Sequence, residues 1–227
     1  MTKVIAILAT HGVEEVELLK PWKKLKKAGY ETWLVAPEKG RIQSMRGDIK
    51  PRKKYKANLT LEEAADRRLD GLVLPGGTVN ADTLRGNPAA IAFVRKFVRS
   101  EAPIAVICHG AWILIEAKGV KSRHMTSWPT LRTELEYAGA HWRDEALVED
   151  RNMISSRKPD DLDIFCEALI GQYERPTPEA QPRRRPLRAA PSKVKRGSEA
   201  EGAKARPAAG TRKRKPSARP ATARQGA

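Results

Sequence analysis

The chain has 227 residues, room for one good-sized domain and an extension, and its 44 Lys and Arg against 27 Asp and Glu give a formal net charge of +17. Two cysteines are too few for a disulfide framework, and no apolar run is long enough to span a bilayer, so a disulfide-stapled secreted fold and a membrane protein are both excluded in favour of a reducing, cytoplasmic setting. The charge is uneven: residues 174–227 hold 16 Lys and Arg, 4 Glu, 8 of the 16 prolines and no Phe, Tyr or Trp, a net of +12 that leaves +5 for the rest. A segment without core-forming side chains cannot offset the entropy of ordering its backbone, so the reading is a folded domain at 1–173 and a disordered tail at 174–227.

In chain order, Val4 to Ala9 is a continuous apolar run, as expected of a strand buried on both faces. Residues Val13 to Ala28 carry helical spacing, with Leu18, Leu19, Trp22 and Leu25 on one side, Pro21 as a kink and Gly29 as a stop. Thr32 to Ala36 reads as a second strand. Gly40 to Lys50 reads as a hairpin turning at Gly47-Asp48, and Thr60-Leu61-Glu62-Glu63 as a capping box. Leu72 to Leu74 is a third strand ended by Pro75-Gly76-Gly77, Pro88 to Ser100 a helix, and Ile104 to Ile107 a fourth strand that stops at Cys108. Helical patterns follow at Ala111 to Ala117 and Pro129 to Ala138, short strands at His141-Trp142, Ala146 to Val148 and Met153-Ile154, and a last helix from Pro159 to Gln172. Alternating strands and helices imply a mainly parallel α/β sheet covered on both faces, with ligands bound beyond the carboxyl ends of the strands. The Thr10 to Glu14 turn, Gly76-Gly77 and Cys108 all fall at such ends.

The stretch Ala105-Val106-Ile107-Cys108-His109-Gly110 carries the chemistry. A cysteine on a sharp strand-to-helix turn is pushed into a cleft, and the helix start favours its thiolate. Cys166, spaced with Leu162, Phe165, Leu169 and Ile170, reads instead as a core residue. His109 cannot easily aim its ring at the preceding sulfur in ordinary turn geometry, and it reads as a base, a substrate-binding group or a polar residue at a helix start. Its backbone N–H is the better candidate, as an oxyanion donor, with Gly76 or Gly77 as the second. Glu14, Glu15 and Glu17 follow the first strand. Glu15 and Glu17 read as solvated acids near a helix start, and Glu14 as the carboxyl of interest. An ionised carboxylate facing Cys108 would raise the thiol pKa, whereas a protonated one would donate to the thiolate. No CxxC, HExxH or phosphate loop is present, so neither a metal nor a nucleotide cofactor is expected.

Ala-Val-Ile-Cys-His-Gly at 105–110, Leu-Pro-Gly-Gly at 74–77 and Glu14-Glu15-Val16-Glu17-Leu18 resemble the PfpI family of the class I glutamine amidotransferase-like superfamily. Thr126-Ser127-Trp128-Pro129 and the run from Ser155 to Leu162 resemble its later segments, so the resemblance covers roughly residues 3–172. It implies a flavodoxin-like α/β sandwich with a nucleophile elbow, Cys108 as nucleophile, His109 beside it, Glu14 as the carboxyl bonded to the cysteine, Gly76, Gly77, Gly110 and Trp128 around the substrate, and a homo-oligomer. Some members place an acid four residues after the double glycine, across a subunit interface. Here that position is Ala81, and Asp82, one further on, is the acid expected to serve the histidine in its place. The proline usual after Cys-His-Gly is Ala111.

Members of that family are described as cysteine peptidases, deglycases, glutathione-independent glyoxalases and stress chaperones. The expectation is therefore a cysteine-dependent enzyme acting on a small carbonyl or glycated substrate, with a non-enzymatic redox-sensing stress protein as the alternative. The tail clusters Arg183-Arg184-Arg185, Lys195-Arg196 and Arg212-Lys213-Arg214-Lys215 suit phosphate neutralisation without sequence readout, and with it a nucleoid association.

Overall fold

The computed structural model describes residues 2–174; the tail clusters from Arg183 to Lys215 lie outside the described residues. A seven-stranded sheet runs in the order β11-β12-β8-β7-β1-β3-β6, all neighbours parallel except β11 against β12. Its strands are β1 (Val4–Leu8), β3 (Glu31–Ala36), β6 (Leu59–Thr60), β7 (Gly71–Leu74), β8 (Ile104–Ile107), β11 (Leu147–Asp150) and β12 (Met153–Ser156). The central β1, β7 and β8 are almost wholly buried, which is why they read as unbroken apolar runs without alternation.

The period of two along β1 still sorts its side chains between two cores. Ala6 and Leu8 pack with Leu61 of α2 (Leu61–Ala65), Leu84 of α3 (Thr78–Arg85), Phe93 and Phe97 of α4 (Pro88–Ser100), Leu114 of α5 (Trp112–Glu116) and Leu135 of α6 (Arg132–Tyr137). Ile5 and Ile7 pack with Leu18 and Leu25 of α1 (Glu15–Lys27) and with Phe165, Cys166 and Leu169 of α7 (Leu162–Glu174). The outcome is the flavodoxin-like sandwich, helices on both faces of a mainly parallel sheet. Among the described residues, no helix is long and apolar enough to cross a membrane.

Several local features differ from the sequence reading. The segment read as all helix from Val13 opens with two extended residues, β2 (Val13–Glu14), which pair with β4 (Arg41–Arg46). The hairpin continues through β5 (Lys50–Lys56), whose run of lysines and arginines carries no apolar alternation to betray a strand; its side chains are mostly exposed at an edge, where such charges are tolerated. The expected turn stands, with Gly47 and Asp48 both left-handed at φ 60° and 62°. Helix α3 was not anticipated, because it starts after Gly77 with no side-chain cap. Helix α1 continues through Pro21. The helices expected from Pro129 and Pro159 each begin as a 3₁₀ turn, and β9 (His124–Met125) pairs in parallel with β10 (His141–Trp142).

Candidate active site

Because β7 lies between β1 and β8, the three strand ends singled out in the sequence meet. Asn80, fully buried on α3, ties the ends of β1 and β7 together. Its Oδ1 accepts from Thr10 N at 2.7 Å, and its Nδ2 donates to the carbonyls of Pro75 at 3.1 Å and Gly76 at 3.0 Å. Chain reversal after β8 is abrupt. Ile107 is extended, Cys108 sits at φ 61° in the left-handed region, and a 3₁₀ turn over Cys108–Ala111 leads into α5. A non-glycine residue there is strained, and such strain is concentrated at functional positions.

That strain corrects one expectation. The left-handed cysteine is not in ordinary turn geometry, and His109 does reach the sulfur: its Nδ1 is 3.3 Å from Cys108 Sγ. The ring is held between Trp128, stacked at 5.6 Å and 25°, and Trp112, tilted at 5.2 Å.

The three glutamates also separate differently from the reading. Glu17, not Glu14, is the carboxyl at the cysteine. It is fully buried, its Oε2 accepts from Gly76 N at 2.8 Å, its Oε1 has no N–H or O–H partner, and it interacts with the Cys108 thiol. Burial is the main cause that pushes its pKa up to about 8, so it is largely neutral at pH 7. Its helical position carried the signal: Glu17 shares the face of Leu18, Pro21 and Leu25, the buried side of α1. Glu14 lies at the cleft rim, where Oε2 accepts from Gly47 N at 2.7 Å and burial raises its pKa. Glu15 fixes the hairpin, accepting from Tyr55 Oη at 2.8 Å, Arg52 Nε at 3.1 Å and Lys53 N at 3.2 Å.

The expected bias toward thiolate is reversed in the resting pocket. Burial pushes the Cys108 thiol up and negative charge on Glu17 pushes it further, against the backbone N–H groups of His109 and Gly77, which favour the thiolate. An ionised Glu17 therefore opposes charge on the sulfur, and a neutral Glu17 removes that opposition.

Two of the three glycines expected around the oxyanion and substrate do other work. Gly76 already donates its N–H to Glu17, and it is glycine because a Cβ there would lie 2.6 Å from Glu17 Oε2, 2.7 Å from Cys108 Cβ and 2.9 Å from His109 N. Gly110 faces away from the cleft, where a Cβ would collide with the carbonyl oxygens of Leu74 and Pro75. Gly77, at φ 87°, does line the cleft and presents its N–H to the sulfur. Asp82 is turned to solvent and paired with Arg85 at 3.0 Å, so within the chain it does not serve His109. The acid near His109 is instead Asp48, whose charge acts on the ring, and it was visible in the sequence only as a turn residue.

These groups surround a cleft of about 560 Å³ that also admits Arg46, Trp128 and Pro159. Among the described residues no group of three or more His, Cys, Asp or Glu is arranged to hold a metal ion.

A mainly parallel sandwich with a left-handed cysteine at a sharp turn between the end of β8 and a helix defines a class of α/β proteins with a strand-to-helix elbow. Residues 3–172 match the DJ-1/PfpI family, and the chain belongs to it. The Deglycase PfpI of Pyrococcus furiosus is 38% identical over 166 residues, spanning 73% of this chain and 96% of that protein. Deglycase TK1284 of Thermococcus kodakarensis is 37% identical over 168 residues, with 73% and 96% covered. Among solved structures, a two-domain protein of Anabaena variabilis with DJ-1/ThiJ/PfpI-like and ferritin-like domains is 32% identical with a TM-score of 0.71, over 76% of this chain and 48% of that one. A DJ-1 superfamily protein of Salmonella typhimurium is 26% identical with a TM-score of 0.68, over 76% and 91%.

Proposed function

We propose that the protein is a cysteine-dependent enzyme of the deglycase type, acting on small 1,2-dicarbonyl compounds and on the adducts they form with amines. The observation that carries this reading is the set of groups around one sulfur: a neutral carboxyl on Glu17, the His109 nitrogen at 3.3 Å, and the N–H groups of His109 and Gly77. The deglycase relatives support the substrate class. The cleft supports an enzyme over a bare redox sensor, since a sensor needs no pocket beside the sulfur lined by Glu14 and Trp128.

In the proposed reaction on methylglyoxal, the Sγ proton passes to His109 Nδ1, and the thiolate is held by the Glu17 O–H and the two amides. Sulfur adds to the aldehyde carbon, and the resulting oxyanion recovers the proton from His109 to give a hemithioacetal. Glu14, at the rim, takes the proton from that carbon and returns it to the neighbouring carbon, while the hemithioacetal hydroxyl proton passes to the neighbouring oxygen, so that the hemithioacetal becomes a lactoyl thioester. Water then releases lactate and restores the thiol, for a sum of methylglyoxal plus water. On an amine adduct, the amine departs when sulfur takes its place, carrying the His109 proton. The test is a panel of methylglyoxal, glyoxal and their lysine adducts offered to wild type and Cys108→Ala. Turnover by wild type alone supports the reading, and equal turnover by both removes it.

The basic tail supports a second, separable role in which its Lys and Arg clusters bind nucleic acid without reading sequence.

A further inference from the structure

His109 stands between two groups that make opposite demands on it. Nδ1 lies 3.3 Å from Cys108 Sγ, and Nε2 lies 3.5 Å from Thr78 Oγ1. A neutral imidazole carries its proton on one nitrogen only, and that choice decides whether the ring can receive a proton from the thiol. The next links in the chain make the choice. Thr78 opens α3, donating its backbone N–H to Asp48 Oδ1 at 2.8 Å and its hydroxyl hydrogen to Asp48 Oδ2 at 2.7 Å. An ionised carboxylate only accepts, so the hydroxyl hydrogen must point at Asp48. Oγ1 then has only lone pairs left to offer His109.

We propose that Asp48, acting through Thr78, fixes His109 as the Nε2–H tautomer and thereby leaves Nδ1 bare as the acceptor of the Cys108 proton. The transfer balances: the S–H bond breaks, the Nδ1–H bond forms, and a neutral thiol and imidazole become thiolate and imidazolium. Nε2–H remains bonded to Thr78, and the Asp48 carboxylate one link further offsets the new positive charge. Burial lowers the His109 pKa, which keeps the resting ring neutral and makes its tautomer matter, while the Asp48 charge acts in the opposite direction. Asp48 and Thr78 are positioning residues, since neither touches sulfur. The Gly47-Asp48 turn of the hairpin thus does more than reverse the chain: it carries in cis the acid that Asp82 does not supply.

The inference rests on Cys108 as the reacting group, and its test reads the ring directly. Imidazole nitrogen NMR on the full-length protein with ¹⁵N-labelled histidine, assigned against His109→Gln, reports which nitrogen carries the proton. Wild type is expected to show Nε2–H. In Asp48→Asn the new amide N–H would donate to Thr78 Oγ1, turning the hydroxyl hydrogen toward Nε2 and moving the His109 proton to Nδ1. Thr78→Val cuts the link and gives mixed tautomers; Thr78→Ser keeps the hydroxyl and restores Nε2–H. In kinetics, Asp48→Asn and Thr78→Val lose about 10²-fold in kcat with KM little changed, the order expected when a base is held in the wrong protonation state, and Thr78→Ser recovers most of it. A wild-type ring protonated on Nδ1, or one whose tautomer ignores both substitutions, overturns the proposal even if turnover falls. If wild type turns over nothing in the panel, the deglycase reading fails while the NMR result still decides the tautomer.

Discussion

The two cysteines sit on opposite kinds of ground. Cys166 lies on the inner face of α7 with Leu162, Phe165 and Leu169, 1% exposed, its thiol pushed up to about 11 chiefly by burial. Cys108, at the end of β8, is 6% exposed, and burial pushes its thiol up as well. Burial therefore does not tell the two apart. What differs is the company: Cys166 has apolar neighbours in a regular helix, whereas Cys108 has a proton acceptor, a neutral acid, two amide donors and a strained backbone that aims it at a cleft. Reactivity at a buried thiol depends on whether the surroundings can receive its proton and hold its charge.

The sharpest way to break this contrast is to delete each sulfur. Cys108→Ala should cut turnover by about 10³-fold or more, while Cys166→Ala should leave it within about twofold. Equal losses, measured on methylglyoxal, would erase the distinction. Crowding the elbow comes next. Gly76→Ala puts a Cβ against Glu17, Cys108 and the His109 backbone at once. Overpacking there should cost about 1–3 kcal/mol in urea unfolding and remove most activity.

Glu17 sharpens the comparison through pH. Its folded-state pKa of about 8 stands above the ordinary 4.5, so between those values the folded protein holds a proton that the unfolded chain has lost. The stability is fully present below about 4.5 and falls as pH rises through about 8. Glu17→Gln keeps an acceptor for Gly76 N–H but cannot titrate, so its share of this slope should be lost from the urea midpoints, leaving the smaller share from Glu14, while the corresponding Cys166→Ala protein keeps the full slope. The smallest effect is expected far from either thiol. Removing residues 175–227 should leave turnover unchanged and abolish retardation of DNA at low salt, and retention of DNA binding by the shortened chain would refute the division of labour.

Much of this site was legible because it is local in sequence. Cys108 announces itself by the strand that ends beside it, and Gly77 by the turn it makes. Glu17 was misjudged because three acids in four residues look alike until the helix start is fixed at Glu15. One residue of phase decides which of them faces solvent and which faces sulfur. The N–H of Gly76 looked free because its acceptor lies 59 residues away. Asp48 and Thr78, 30 residues apart, have no joint signature at all.

The sequence by itself determined the order of the buried strands and of every helix but α3, the elbow at Cys108 and the apolar role of Cys166, because periodicity and turn chemistry act over a few residues. Tertiary structure alone decided which carboxyl meets the thiol, which amides remain free and which acid steers His109. Those assignments depend on β7 lying between β1 and β8 and on a charged hairpin folding over their ends, and distances between such remote segments are set by packing and not by local pattern.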